Sequence, residues 1–451
     1  MLHGRVRTIL VLPDAPGRPI HREPSLAMGD TILRTLPGPT HPAALLAPLF
    51  VLACADGGTD GAWEGELRDS AGVAIVENRG RGLWTPEQAW RVREDLVLGT
   101  DETRPETHFG HVADLAVDPA GRLYVLDQLA SVVRVFAADG TPAGTLGGPG
   151  EGPGELSRLA SSVFLVGDTV HVVDWAQSRV VRFLPDGTTV GSDPLPGDRG
   201  ARSWWSVAPD GGLVFRSLRM VVDEQRRWRP MDHLVRASRD GTELDTLLTF
   251  QYPPSDLGGP GNVVAPLVVN VPDWTLLEDG RVAWTTVVDE VVRVHDARGT
   301  LERVVTREAW ERRRLTEEDE AVLARLLGEK MEMLGGRASV LELIPLAPPS
   351  LLPAVTSVRG GPEGTLWVQR MGDVRDVHPM TLNGSDPPTG FGGREWDVMD
   401  AQGRYLGSVE LPPRFRLLTI TGDALYGVRR GELDVEEVLR LRLERGAPPE
   451  P

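Results

Sequence analysis

Residues 111–156 read HVADLAVDPAGRLYVLDQLASVVRVFAADGTPAGTLGGPGEGPGEL. Apolar and polar residues alternate in DLAVD (114–118), RLYVLD (122–127) and VVRVFA (132–137), and Pro-Ala-Gly and Asp-Gly turns separate them. Period-two alternation bounded by Gly turns is the pattern of short antiparallel strands joined by hairpins. The segment therefore reads as one small sheet with a Gly-rich exit.

The pattern returns along the chain. A Gly turn followed by an alternating strand occurs at Gly121, Gly167, Gly212, Gly280, Gly364 and Gly422. The aliphatic residue behind each turn is Leu123, Val170, Leu213, Val282, Leu366 and Leu425, with spacings of 47, 43, 69, 84 and 59 residues. The first two spacings match a four-stranded propeller blade, and the longer ones imply insertions. A second pattern, a strand running into a tight turn, follows at 132–140, 180–187, 233–241, 291–299 and 395–403. Preceding strands are read at 114–118, 162–166, 205–209, 274–278, 356–360 and 417–421. Each unit thus runs A–turn–B–loop–C–turn–D.

Residues 111–156 resemble the unit of the NHL-repeat family of six-bladed propellers, through the apolar-Asp strand, the Gly turn, Tyr124-Val125-Leu126-Asp127, Arg134-Val135-Phe136 and the Gly-rich exit. Blade two keeps Val173-Asp174 and Arg182-Phe183; blades three to six have drifted, so the resemblance is close over 111–190 and architectural over about 90–445. The expectation is an all-β fold: a six-bladed β-propeller with four-stranded antiparallel blades. The sixth unit stops after its third strand, and an open edge invites aggregation. Residues 91–100 have the character of its missing strand, so an N-terminal strand is expected to close the last blade. The strand at 72–79 is expected outside that blade or packed nearby. Domain bounds follow: tether 55–70, propeller 71–445, tail 446–451.

Successive links in such a blade alternate between the two faces. All A–B links and the five C–D links are short, whereas the long segments at about 218–232, 249–272, 307–353 and 371–394 belong to the B–C and D–A class. One insertion, between blades four and five, contains a helix at about 316–334, with Thr316 as N-cap, acids in the first turn and a Gly335-Gly336 stop. Long loops carry function more often than short ones. The B–C/D–A face is therefore the expected binding face, and its candidate residues are Asp127, Asp174, Trp175, Arg158, Trp204, Trp205, Asp273, Trp274, Arg370 and Arg429. Tryptophan suits sugars, peptides and cations, and equally suits core packing between blades. Asp127, Asp174, Ser217, Thr286, Arg370 and Arg429 end their B strands and would ring the channel mouth. The Asp pair reads as structural, the Arg pair as able to receive an anion.

The N-terminus carries an address. An 11-residue apolar run, Ala43 to Ala53, is the size of a signal-peptide core and too short to span a bilayer. It ends Val51-Leu52-Ala53-Cys54, and Cys54 is the only cysteine. These residues resemble the lipobox of bacterial lipoproteins, which implies acylation of Cys54, export and lipid anchoring in the cell envelope, periplasmic or outer-surface. Residues 1–54 are read as this signal, with Met28 as an alternative start that gives an ordinary signal length.

Composition excludes some chemistry. The formal charge is −17, and residues 55–451 carry 43 basic against 62 acidic side chains, which argues against a nucleic-acid partner. One cysteine permits no intramolecular disulfide and no Cys-based zinc site. No Gly-x-Ser-x-Gly, phosphate loop or dinucleotide fingerprint occurs. His108, His111 and Asp114 are weak metal candidates, and Asp127, Asp174 and Asp273 are further channel acids. The leading reading is a non-enzymatic binding or scaffolding module for an envelope protein, peptide or glycan, with no cofactor. The alternative is a metal-dependent hydrolase, lactonase or lyase with calcium or zinc in the central channel.

Overall fold

The computed structural model describes residues 63–446, apart from 101–107, 197–200, 223, 225, 227, 240, 251–257, 260–261, 264, 267–271, 334–345, 348–350, 379–391 and 432–434. Six sheets are arranged as a closed ring, with inner strands meeting at five seams and the seam between blades three and four closed by the cluster of Val214, Leu248, Trp274 and Val282. Blade one comprises strands Val112–Val117, Leu123–Asp127, Val132–Phe136 and Pro142–Gly147. Blades two, three, five and six occupy 160–194, 201–250, 355–410 and 415–444. Blade four comprises Asp273–Leu276, Val282–Thr285, Val291–His295 and Leu301–Arg307. This is the expected six-bladed propeller.

Local chemistry explains the turns. Asp118, Asp296 and Asp400 each accept two backbone N–H bonds from residues two and four ahead, at 2.7–2.9 Å. Such Asx turns fold the chain back before the next strand starts. Alternation then buries one row of side chains on each face, so every seam between neighbouring blades holds its own apolar cluster. Tyr124, Leu126, Val172 and Phe183, for example, fill the seam between blades one and two. A fully buried Val, Leu or Phe contributes about 1.5–3 kcal/mol, so the seams dominate stability.

The N-terminal segment forms a belt along outer edges. Strand β1 (Gly65–Ser70) pairs antiparallel with β2 (Val73–Asn78). β2 in turn pairs parallel with the outer strand of blade four, making that sheet six-stranded. The chain then passes blade five, where Leu83 and Trp84 donate to the carbonyls of Tyr405 and Leu406. It reaches blade six as β3 (Arg91–Leu98), antiparallel to Glu436–Glu444. Closure of the last blade by 91–98 agrees with expectation. Two bounds need correction. Residues 72–79 sit on blade four rather than near blade six, and Gly65–Ser70, read as tether, is a strand.

The reason is Asn78. It is buried, and its amide donates to Thr306 O (3.0 Å) and Gly403 O (2.9 Å) while its oxygen accepts from Trp63 Nε1 (2.8 Å) and Tyr405 N (2.7 Å). One side chain thereby ties β2 to blades four and five, and Val76 fills their shared core.

Helix α1 (Glu317–Met333) matches its expected position. Thr316 Oγ1 caps Asp319 N at 3.1 Å, and Asp319 returns a bond to Thr316 N at 2.9 Å, a reciprocal cap with Asp in place of Glu. Leu323 and Leu326 pack on Leu352, Val374 and Val377, so α1 covers the B–C loop of blade five. The expected loop at 218–232 is mostly strand: blade three's hairpin continues in register to Val222↔Trp228. The apolar residues Met220, Val221 and Val222 carry the first strand on to the polar residues 223–227, so the ladder extends instead of opening.

Candidate functional site

Asp127 and Asp174 end their B strands, Arg370 and Arg429 lie one residue before the ends of theirs, and the charges of these four are compensated internally. Asp127 is fully buried and accepts from the backbone N–H groups of Gly110 (3.2 Å), His111 (3.3 Å) and Ala130 (3.2 Å), with Arg134 at 3.3 Å. Asp174, also buried, accepts from Ser157 N (3.0 Å) and Ser157 Oγ (2.5 Å). Each Asp thus anchors the loop that leads into its own blade. Arg370 pairs with Glu395 at 2.7 Å, and Arg429 with Glu94 (2.7 Å) and Glu437 (2.8 Å). These carboxylates occupy the place an anion would take. Ser217, expected at a strand end, is a buried hydroxyl midway along the extended hairpin of blade three, and Thr286 is a buried hydroxyl just after its B strand.

Deeper in the channel, Asp114 and Asp273 hold the same station on the inner strands of blades one and four. Asp114 accepts from Val163 N of blade two at 2.9 Å, and Asp273 from Val358 N of blade five at 2.7 Å. Asp273 also binds Arg359 Nη1 at 2.8 Å. Asp114 has backbone donors and, farther off, the charges of Arg416 and Arg359; burial outweighs them and pushes its carboxyl up to about 6. Arg416 itself donates to Val112 O at 2.7 Å. Both acids act as stitches between blades.

The metal candidates do not assemble. His111 Nδ1 meets Glu436 Oε1 at 3.1 Å, and Glu436 also accepts from Val112 N and Arg430. Burial would raise Glu436, but His111, the Val112 N–H and Arg430 pull its carboxyl below the ordinary range. His108 lies in the loop before blade one, and Asp114 faces the next blade. Among the described residues no three His, Cys, Asp or Glu side chains form a metal-binding group. The donors of these residues are committed to the fold, so no step through a metal is derived from them.

Two expected face residues are core. Trp205 stacks on Phe215 with centroids 4.3 Å apart, and Trp274 is buried among Val214, Leu248 and Val282. The side chain of Trp204 and the residue Cys54 lie outside the described residues.

Exposed apolar residues on the B–C/D–A face include Val222 and Met231 on blade three and Val435 on blade six, and a group of them lies over blades one and two. Trp175 is 44% exposed, Leu129 52% and Leu159 43%, and Arg158 is exposed beside Leu159. Trp175 follows Asp174, which holds Ser157, so Trp175 and the Arg158-Leu159 loop are drawn together. Gln128 donates to Ala160 O at 2.9 Å, which brings the Leu129 turn to the same loop. The loop itself is braced from beneath. Gln177 donates to Gly150 O (2.9 Å), and Arg179 to Gly152 O (3.1 Å) and Glu155 O (2.8 Å). Leu129 and Leu159 escape a reading that weighs only aromatic and charged residues. Their signal is position, since an aliphatic residue in a short polar turn has no core to enter.

No protein-family model matches the chain, and no curated protein matches its sequence. Solved structures do resemble it. A protein from Bacteroides fragilis named as exported shares 14% identity over 82% of this chain and 100% of its own, with a TM-score of 0.46. A DUF4221 family member from Bacteroides vulgatus shares 9% over 80% and 100%, with a TM-score of 0.49. Virginiamycin B lyase from Staphylococcus aureus shares 11% over 79% and 100%, with a TM-score of 0.40. At such identities the likeness concerns the fold alone.

Proposed function

We propose that this chain is a binding or scaffolding propeller, displayed in the bacterial cell envelope by a lipid on Cys54, that engages a polypeptide partner through Leu129, Leu159, Trp175 and Arg158. The observation that carries this reading is the exposed apolar cluster on a braced loop. Large exposed apolar residues grouped on one face mark interaction sites, and Trp and Arg dominate the energetics of protein interfaces. A rigid platform loses little conformational freedom on binding. Two leucines beside the indole favour a polypeptide over a glycan, whose hydroxyls need polar partners. The NHL-type unit in blades one and two fits the same reading, because those blades keep short, regular turns. Calcium, zinc and other cofactors have no part in it.

Site-specific photocrosslinking in the native host tests the face. Crosslinkers at Leu129 and Leu159 should capture one discrete partner, and one at Leu184, an exposed residue in a C–D turn on the opposite face, should not. Capture should disappear in Trp175→Ala. Equal labelling from both faces refutes the assignment. Fatty-acid labelling tests the anchor: Cys54→Ala should lose both label and membrane association.

A further inference from the structure

β1 is the outermost strand of the blade-four sheet, and all of its residues are exposed. Among the described residues nothing pairs with its outer edge. Natural edge strands are usually covered, bulged or short. β1 is instead regular, in unbroken register with β2 from Gly65↔Asn78 to Ser70↔Val73.

We propose that β1 is a self-association strand, pairing antiparallel with β1 of a second copy, with Leu67 of each opposite Leu67 of the other. Three observations converge on this register. The first is hydrogen-bond parity. Arg79 N donates to Glu64 O at 2.7 Å, so pair 64/79 is hydrogen-bonded. Hydrogen-bonded pairs alternate along an antiparallel ladder, so Glu66, Arg68 and Ser70 direct their backbone groups at β2. Gly65, Leu67 and Asp69 direct theirs outward, so a Leu67–Leu67 pair would exchange two N–H···O bonds, flanked by pairs of Gly65 with Asp69.

The second is charge. In this register Glu66 of one copy lies opposite Arg68 of the other, on both sides of the symmetry axis. Shifting by one step either way places Glu66 against Glu66 or Arg68 against Arg68, and like charges directly opposite are destabilising. Only the Leu67-centred register is complementary. Glu66 and Arg68 now contact Arg79 and Glu77 of their own sheet, and these exposed pairs can join the cross-copy network.

The third is the apolar face. Leu67 stands opposite Val76, which is 1% exposed and part of the core shared with blade five, yet Leu67 is 65% exposed. Its side chain is on the core side of the sheet, and among the described residues it is left largely uncovered. A second Leu67 would supply a neighbour and join two six-stranded sheets edge to edge. The interface is a small one, which places it among weak, concentration-dependent associations.

Sedimentation of the full chain carrying Cys54→Ala tests this. The parent should dimerise reversibly as concentration rises. Glu66→Arg alone and Arg68→Glu alone should each weaken dimerisation about tenfold or more, since like charges then face each other. An equimolar mixture of these two variants should restore it, because a strand with arginine at both positions 66 and 68 then meets a strand with glutamate at both. That restoration requires both variants to be folded, so it separates lost pairing from lost structure. Under mild oxidation Leu67→Cys should crosslink, because hydrogen-bonded pairs place Cα atoms about 5.5 Å apart, within disulfide range. Ser70→Cys should not. A chain that stays monomeric at high concentration, or a dimer unaffected by both charge reversals, overturns the proposal. Capture of a different protein by the Leu67→Cys edge in place of a second copy also overturns it.

Discussion

Blades one and four stand opposite each other in the ring, and the same inner station is built differently in the two. In blade four, Asp273 has a guanidinium partner in Arg359 and a backbone donor from blade five. In blade one, Asp114 has only backbone donors within bonding distance among the described residues. The outer ends differ in the same direction. Blade four is extended by β2 and β1 and fixed to blade five by Asn78 and by Asp397, which accepts from Arg307 (2.6 Å) and Trp310 (2.7 Å). Among the described residues blade one has four strands and no added ones, and short turns with Leu129 exposed. One side of the propeller is reinforced, and the other is left open where the candidate partner would dock.

Among changes to polar residues, the largest expected effect probes the reinforced side. Asp273→Asn keeps an acceptor for Val358 N but leaves Arg359, which is largely buried, without its counter-charge. Breaking a buried pair by removing one partner costs about 3–5 kcal/mol. Urea unfolding should register a loss near the lower end of that range, because the Arg359 side chain keeps 14% of its exposure. A loss below about 1 kcal/mol, the range of exposed pairs, would erase the distinction between the two acids.

Asn78→Ala comes next, at about 2–3 kcal/mol, from several lost hydrogen bonds and the buried backbone groups left unpaired. The readout is regional. Amide exchange in β1 and β2 should accelerate strongly, while blade one stays protected. Uniform acceleration would mean that the belt and the ring unfold as one unit.

Asp114→Asn should act with the opposite sign to Asp273→Asn. An unfolded Asp titrates near 3.8, and burial raises this one to about 6 in the folded chain. The folded state therefore holds the proton more tightly. The stabilisation is fully present below about pH 4 and is lost as the pH rises through 6. Above pH 7 the charged carboxylate works against folding, so Asn should stabilise by about 1–2 kcal/mol after allowance for the partial exposure of Asp114. Denaturation midpoints across pH 4–8 should fall for the parent and flatten for the variant over that window. A parent profile already flat there would place Asp114 in an ordinary aqueous setting.

The contrast between blades also explains what could be read in advance. Gly turns and period-two alternation are local, so the six blades, α1 and the closing strand at 91–98 were legible. The missing edge of blade six named its own remedy. The place of Val73–Asn78 was not legible, because alternation specifies a strand but not its neighbour, and Asn78 reaches partners 228 and 325 residues away. Arg359 is likewise distant from Asp273, so the two channel acids looked equivalent. Trp205 and Trp274 have one-letter identities that suit surface and core equally, and burial decided against the surface. Blade three's hairpin was read as an insertion because spacing alone cannot distinguish a longer ladder from a longer loop.

The smallest expected effect on stability is the one most informative about function. Trp175 is 44% exposed and sits in a turn whose geometry is held by Asp174, Gln177 and Arg179 rather than by the indole. Trp175→Ala should therefore change unfolding free energy by no more than about 0.5 kcal/mol, as surface substitutions do. By contrast Trp274→Ala, on the inner strand of blade four, should cost about 3–5 kcal/mol, as core truncations do. If Trp175→Ala abolishes partner capture with stability intact, the open side of the ring is open for binding. If Trp175→Ala proves as destabilising as Trp274→Ala, the indole is a packing residue, and the exposed face over blades one and two loses its anchor.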